Sequence, residues 1–273
     1  MRRLTVLMVL PLIAALGSCA NEPKPEPMAN GLLLSLAVLE SGPSGPVPQP
    51  AQLGILTYDG TAWNYRFIED EDSNVFHKAM VFAPAGGEAA IVTAGGTKAM
   101  VKLWSTDGSS QTLWEKDFGG KFSRMRDLET ADVNGDGFSD IVVATHDQGV
   151  VAVLYGDAGG SFTAEELDAE PNTFVHEVEV GDLNADDVLE VYATPSLPNK
   201  LDGTPQPGFV TRYVPGAEEG RTLVADLGDR HAKEILVDDV DGDGTDELYV
   251  SVEAVAGGRV EILRFDADTD PAG

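Results

Sequence analysis

The sequence is poor in cysteine, which excludes disulfide bonds within the chain, and poor in basic residues, which excludes one class of ligand. Cys19 is the single cysteine in 273 residues, so no disulfide can form within the chain. Lysine and arginine number 18 against 46 aspartates and glutamates, which gives a formal net charge of −28. A surface this acidic repels phosphate backbones, and nucleic-acid binding is therefore excluded as a function.

Catalytic signatures are also lacking. The sequence contains no GxSxG, no HExxH and no Walker loop, and no Cys–His pair is available. Carboxylates are so abundant that any two can be matched, so no glycosidase pair can be assigned. No catalytic residue is predicted, which favours a binding protein without excluding an enzyme.

What the sequence does contain is an acidic loop in three copies. "DVNGDGFSD" begins at Asp132, "DLNADDVLE" at Asp182 and "DVDGDGTDE" at Asp239, and each runs into a short apolar segment. The copies start 50 and then 57 residues apart. A period of about fifty residues indicates a repeat architecture. With 42% hydrophobic residues and 30 glycines, the composition fits a folded β protein rather than a disordered acidic chain.

Oxygen-bearing side chains occupy positions one, three, five and nine of each loop, and the backbone carbonyl of position seven can add another oxygen. Such a set of hard ligands suits Ca²⁺, whereas the lack of His and Cys in the loops argues against zinc and copper. The predicted ligands are Asp132, Asn134, Asp136, Phe138 and Asp140; Asp182, Asn184, Asp186, Val188 and Glu190; and Asp239, Asp241, Asp243, Thr245 and Glu247.

The loops are not EF-hands, although they begin in the same way. An EF-hand loop needs a bidentate Glu at its twelfth position and a helix after it. Here the twelfth positions are Val143, Ala193 and Val250, and all three lie in strand-like runs. The alternative that stays open is a surface loop rich in Asx turns that holds no ion.

The three loops, each followed by a short strand, resemble the FG-GAP/VCBS repeats, which are β-propeller blades also found in integrin α-chains. The resemblance covers residues 31–273 and implies a calcium loop between the first two strands of a blade. Gly137 and Gly244 supply the bend expected at position six. The second loop departs from the pattern, because Asp187 replaces that glycine and Ala185 replaces the glycine at position four.

The expected fold is all-β, a propeller of about five four-stranded blades. We expect strands at 77–83, 89–94, 99–105 and 111–117; at 125–131, 141–145, 149–155 and 161–167; and at 232–238, 247–253 and 258–266, the last blade lacking a fourth strand. Segments 32–40, 53–59 and 62–69 are expected as strands two to four of a first blade without its first strand. Propellers have about four to eight blades, so the chain is either a closed five-bladed ring or part of a larger propeller.

The N-terminal residues resemble a bacterial lipoprotein signal. A basic start precedes an apolar run and "LGSC", which is similar to a lipobox whose cysteine is lipidated, so we expect a signal peptide at 1–18 and lipidation of Cys19. Residues 19–30 would form a proline-rich tether. The resemblance implies a lipid anchor in the cell envelope, at the outer membrane or cell surface rather than the inner membrane. The alternative is an ordinary signal peptide.

A second set of residues recurs six positions before the acidic loops. It comprises Arg126, His176 and Lys233, and His77 takes the same place in the unit without an acidic loop if the loop there is one residue shorter; each stands at the start of a first strand. In a propeller these side chains would cluster at one mouth of the channel and could accept an anionic sugar or carboxylate. The alternative is pairing with neighbouring acids such as Asp127, Glu177 and Glu234, and a transition-metal pair of His77 and His176 is a further one.

The expected function is therefore a lipid-anchored, calcium-binding propeller outside the cytoplasm that binds a protein or a glycan, as in adhesion. The alternative is a polysaccharide-active enzyme or accessory domain with its site at the channel mouth.

Overall fold

The computed structural model describes residues 31–119, 123–198, 204–217, 220–254 and 258–266, and within them all regular structure is β-strand. No helix of the length and apolarity needed to cross a membrane occurs among these residues. The strands are β1 Gly31–Leu36, β2 Leu39–Gly42, β3 Gly45–Pro48, β4 Ala51–Tyr58, β5 Trp63–Asp70, β6 Phe76–Phe82, β7 Ala90–Gly95, β8 Ala99–Trp104, β9 Ser110–Lys116, β10 Met125–Ala131, β11 Asp140–Thr145, β12 Val150–Gly156, β13 Phe162–Ala169, β14 Phe174–Gly181, β15 Glu190–Ser196, β16 Phe209–Tyr213, β17 Thr222–Asp226, β18 Ala232–Asp238, β19 Glu247–Val252 and β20 Glu261–Phe265.

These strands form six small antiparallel sheets. Three have four strands, in the orders β6-β7-β8-β9, β10-β11-β12-β13 and β14-β15-β16-β17. Two have three strands, β1-β4-β5 and β18-β19-β20, and the sixth is the hairpin β2-β3. The all-β prediction is confirmed. Of the roughly five units expected, three are complete four-stranded sheets within the described residues.

The first sheet differs from the expectation in two ways. The apolar segment 32–40 is not one strand, because the ladder stops at Leu36 and β2 turns away to pair with β3. Nor is the first strand missing: β1 takes that place, packing beside β6, where the Ser35 hydroxyl donates to the Phe76 carbonyl. Within the part of the chain that the structure describes, it is the fourth strand that this sheet lacks.

The five larger sheets stack in chain order through apolar layers. Strand β11 shows why, since Ile141 and Val143 pack toward the preceding sheet while Val142 and Ala144 pack toward the following one. A strand buried on both faces reads as a continuous apolar run, because successive side chains point to opposite faces. The first strands β1, β6, β10, β14 and β18 consequently lie next to each other in series.

This stacking positions the acidic loops. The loops join β10 to β11, β14 to β15 and β18 to β19, which is the connection between the first and second strands of three successive sheets. Since the sheets repeat one arrangement, the three loops occupy equivalent places in it.

Candidate metal centre

The three acidic loops share one backbone conformation. Positions four and six have positive φ in every copy: 71° and 88° in the first loop, 55° and 65° in the second, and 78° and 95° in the third. Glycines occupy these positions in the first and third loops, whereas Ala185 and Asp187 occupy them in the second. The second loop therefore keeps the fold of the other two at the cost of two strained residues.

The aspartate at position one organises each loop. The backbone N–H of Asp136 donates to Asp132 Oδ1 at 3.0 Å, and that of Gly137 donates to Asp132 Oδ2 at 2.8 Å. The same pair of bonds reaches Asp182 from positions five and six at 3.0 and 2.8 Å, and Asp239 at 2.9 and 3.0 Å. These bonds fold the loop back over its first carboxylate, so the remaining oxygens gather on one side.

The carboxyl group at position nine closes the loop at its base. It accepts the N–H of position two, at 3.0 Å for Asp140, 3.3 Å for Glu190 and 3.2 Å for Glu247. All three are buried. Each loop therefore has one buried carboxyl group at its base and at least one exposed acid nearer its tip, and a cation can be held between them.

In the third loop the carboxylates converge. One oxygen from each of Asp239, Asp241, Asp243 and Glu247 lies within 4.8 Å of the others. Among the described residues, this is the one group of three or more His, Cys, Asp or Glu side chains that meets so closely. Four carboxylates at this separation repel one another unless a cation lies between them or beside them.

An arginine partly supplies that positive charge. Arg264 on β20 lies 3.0 Å from Asp241 Oδ2 and 3.4 Å from Glu247 Oε1. In the second loop Arg212 on β16 pairs with Glu190. The first loop has no equivalent in the described structure, where Asp140 instead accepts the backbone N–H of Gly156 at 2.8 Å.

Burial raises the pKa of Asp140, and the nearby charges of Asp136 and Asp132 add to the effect. Burial likewise raises the pKa of Glu190, although Arg212 opposes it. A raised carboxyl pKa means that ionising the group has a free-energy cost at that site. A divalent cation in these loops would remove that cost. The donor set, oxygens without nitrogen or sulfur, fits Ca²⁺.

The predicted cationic group lies at the opposite ends of the first strands. Arg126 Nε donates to the His176 carbonyl at 3.3 Å, so residues of neighbouring strands do meet. Arg126 lies 3.7 Å from Glu177, and Lys233 lies 3.7 Å from Glu253. Burial lowers the pKa of His77 to about 4 and that of His176 to about 2. At neutral pH the group therefore consists of two paired cations and two neutral imidazoles. This arrangement is closer to the expected alternative, in which the cations pair with neighbouring acids, than to a ring of positive charges.

The sequence reasoning missed that further histidines join this group. The His176 ring lies 5.6 Å from that of His146 and stacks at 5.1 Å on that of His231. His176 is 2% exposed, and its Nε2 lies 3.2 Å from Ser196 Oγ. A signal was available: His231 precedes β18 and His146 follows β11, at the same end of the stack.

Two further acids on the first strands, Glu129 and Glu179, were missed beside the expected Asp127 and Glu177. Lys78 lies 3.0 Å from Asp127 and also pairs with Glu129. Burial, followed by the charge of Asp127, raises the pKa of Glu177 to about 9, and burial with the charge of Glu129 raises that of Glu179 to about 8. The alternation of acids along β10 and β14 was the signal, because alternate residues share one face of a strand.

The family comparison agrees with the loop geometry. Residues 132–193 match a family model described as the FG-GAP-like repeat, a segment that runs from the first acidic loop through the second and into β15. No curated protein matches the chain. The third loop lies outside the matched segment but has the same backbone and the same hydrogen bonds. Residues 132–193 are therefore similar to the FG-GAP-like repeat, as the sequence predicted.

Proposed function

We propose that this protein is a calcium-binding β-propeller module that binds a protein or glycan partner at the cell envelope. The observation that carries the proposal is the third loop, where four carboxylates meet within 4.8 Å. Its backbone conformation is the same as that of the other two acidic loops. The stacked antiparallel sheets and the FG-GAP-like repeat support the propeller architecture. FG-GAP repeats often bind calcium and often serve adhesion or binding.

Calcium would hold each loop in its folded conformation. Asp239, Asp241, Asp243 and Glu247 would hold the ion, which supplies charge neutralisation and ties the end of β18 to the start of β19. Because the ion binds the folded loop preferentially, it stabilises the fold by mass action, by about 2.7 kcal/mol at a concentration 100 times Kd. Outside the cytoplasm, sites as weak as about 10⁻⁴–10⁻³ M can still be filled.

The lipid anchor and the location belong to the same proposal. The lipobox-like "LGSC" supports lipidation at Cys19, and the chain has no other cysteine for that chemistry. Labelling with a radioactive fatty acid in a bacterial host tests it: we expect the full chain to carry label and the Cys19→Ser variant to carry none. Label on neither protein would favour the ordinary signal peptide.

The calcium site is tested by calorimetric titration and thermal melts of the full chain. Asp243→Asn removes one charge but keeps an oxygen that can accept the Thr245 N–H, a bond of 3.0 Å. We expect calcium to raise the Tm of the wild type, and the variant to lose one ion or to bind it at least about tenfold more weakly, because ligand charge sets affinity. Glu88→Gln, an exposed loop acid outside the site, is the matched control. A wild-type Tm that is the same in calcium and in EGTA would show that the loops are Asx-turn loops without an ion.

A further inference from the structure

One face of the first sheet is apolar and exposed. Trp63, Tyr65 and Phe67 alternate along β5 and are 53%, 74% and 51% exposed. The strand register joins them to the same face of β4 and β1, since Tyr65 lies opposite Leu56, which lies opposite Leu32. We call this surface the aromatic face, defined by Leu32, Leu34, Tyr58, Trp63, Tyr65 and Phe67.

The opposite face of this sheet is already buried. Leu53, Ile55 and Ile68 pack against Phe76 and Ile91 of the second sheet. The aromatic face has no such neighbour among the described residues, although its side chains are equally apolar. An apolar area of this kind on a soluble surface marks a place of contact with something else.

The aromatic face is free of charge over most of its extent. Gly54 lies at its centre, where an added Cβ would contact the Phe67 ring at 3.4 Å and the Leu34 Cβ at 3.6 Å. The row at one end holds Glu69, which accepts a hydrogen bond of 2.6 Å from Gln52. The chain as a whole has a net charge of −28, yet this patch of six large side chains carries no charge. Depletion of charged residues is typical of the centre of a contact surface.

The position of the face relative to the N-terminal segment suggests what covers it. Gly31, the first residue of β1, pairs with Thr57, which pairs with Asn64. The chain therefore enters the sheet beside Tyr58 and Trp63, whose rings lie 5.3 Å apart. The eleven residues between Cys19 and Gly31 can span at most about 40 Å. An anchor at Cys19 would keep this end of the sheet close to the bilayer.

We propose that the aromatic face rests on the bilayer interface beside the anchor, which orients the module on the membrane. The inference rests on the lipid anchor of the proposed function. Trp and Tyr favour the membrane interface, because their rings are apolar at one end and polar at the other. The acidic remainder of the chain is repelled by anionic lipids, so the contact is made with zwitterionic headgroups. A second copy of the chain is a poorer occupant, because two surfaces of the same large negative charge repel.

The test uses the full lipidated chain in phosphatidylcholine vesicles whose acyl chains carry bromine, which quenches nearby tryptophan. We expect quenching of Trp63 and reduced access of aqueous acrylamide to it. Trp63→Phe should abolish most of the quenching, because Trp104 is buried and Trp114 is half-buried against the core of the stack. Tyr65→Ser with Phe67→Ser should lower it severalfold while the protein stays on the vesicles. Ile262→Ser, at an exposed apolar residue of the last sheet, is the matched control and should change nothing.

The outcomes separate this inference from the proposal on which it rests. Flotation with the vesicles reports the anchor, and quenching reports the aromatic face. Flotation without quenching of Trp63 overturns the docking of the face and leaves the anchor standing. Failure of the wild type to float overturns the anchor and the docking together. Protection of Trp63 from acrylamide without vesicles, with a mass of two chains by light scattering, would instead make the face an interface between copies.

Discussion

At the scale of single residues, the second acidic loop shows how the fold tolerates imperfect sequence. Ala185 and Asp187 have φ of 55° and 65°, where the sister loops have glycine. The left-handed conformation costs a non-glycine residue roughly 1–2 kcal/mol. The hydrogen bonds to the Asp182 carboxylate impose it nevertheless, because their donors are the backbone N–H groups of Asp186 and Asp187 and do not depend on the side chains at positions four and six.

Replacing Ala185 by glycine should therefore stabilise the protein. The relieved strain exceeds the extra entropy of glycine in the unfolded chain, so we expect the free energy of unfolding to rise by up to about 1 kcal/mol. Urea unfolding measures it. Ala217→Gly is the control, since Ala217 is exposed and does not have a positive φ, and it should be neutral or destabilising. A loss of stability in Ala185→Gly would mean that the alanine side chain itself holds the loop.

A second residue-scale prediction concerns acid stability. Burial, together with the charges of Arg126, His146 and Arg124, lowers the pKa of His77 to about 4, while Asp147 opposes the shift. Between pH 6.5 and about 4 the unfolded chain binds this proton and the folded chain does not. The free energy of unfolding should therefore fall as pH falls through that window, by on the order of 1–2 kcal/mol. His77→Gln should have a shallower slope in urea unfolding at pH 6.5 and 4.5, and an unchanged slope would refute the assignment.

At the scale of elements, the acids of the first strands have the opposite effect on stability. Burial, with the charges of Glu129 and Asp127, raises the pKa of Glu179 to about 8, while Lys78 opposes the shift. The folded state keeps this proton above pH 4.5, so its stabilising contribution is lost as pH rises toward 8. Glu179→Gln should flatten the decline in unfolding free energy between pH 5 and pH 8. Glu88→Gln should leave the decline unchanged, and a decline as steep in Glu179→Gln as in the wild type would contradict the prediction.

The strands themselves could largely be predicted, and the exceptions have physical causes. The expected bounds 125–131 and 232–238 are those of β10 and β18, because turn residues and acidic loops mark their ends. The segment 32–40 offered no such mark, since its apolar run continues through the break after Leu36. The ion pair between Arg264 and Asp241 of the third loop was not readable either, because Arg264 lies on β20, more than a dozen residues along the chain from that loop. Histidines 146, 176 and 231 come from three separate sheets and meet through their stacking, so the one signal in the sequence was their position at the same end of the expected strands.

At the scale of the whole molecule, charge opposes the compact fold. The net charge of −28 is spread over a stack whose cations are mostly engaged in ion pairs, such as Lys98 with Asp72 at 2.7 Å. Exposed pairs of this kind contribute about 1 kcal/mol or less. They offset little of the repulsion among the unpaired acids, and that repulsion acts over roughly 30 Å at 10 mM salt but only about 10 Å at 100 mM.

Added salt should therefore stabilise the calcium-free protein. Between 10 and 150 mM NaCl in EGTA we expect the Tm to rise, a gain on the order of 1 kcal/mol corresponding to about 2–4 °C for a chain of this size. Choline chloride at equal ionic strength should act alike, because screening does not depend on the identity of the cation. Calcium should then raise the Tm less at high salt than at low salt, since part of its effect at low salt is neutralisation of the same charge. A Tm that falls with salt would mean that the ion pairs, rather than the repulsion, dominate the electrostatics of the fold.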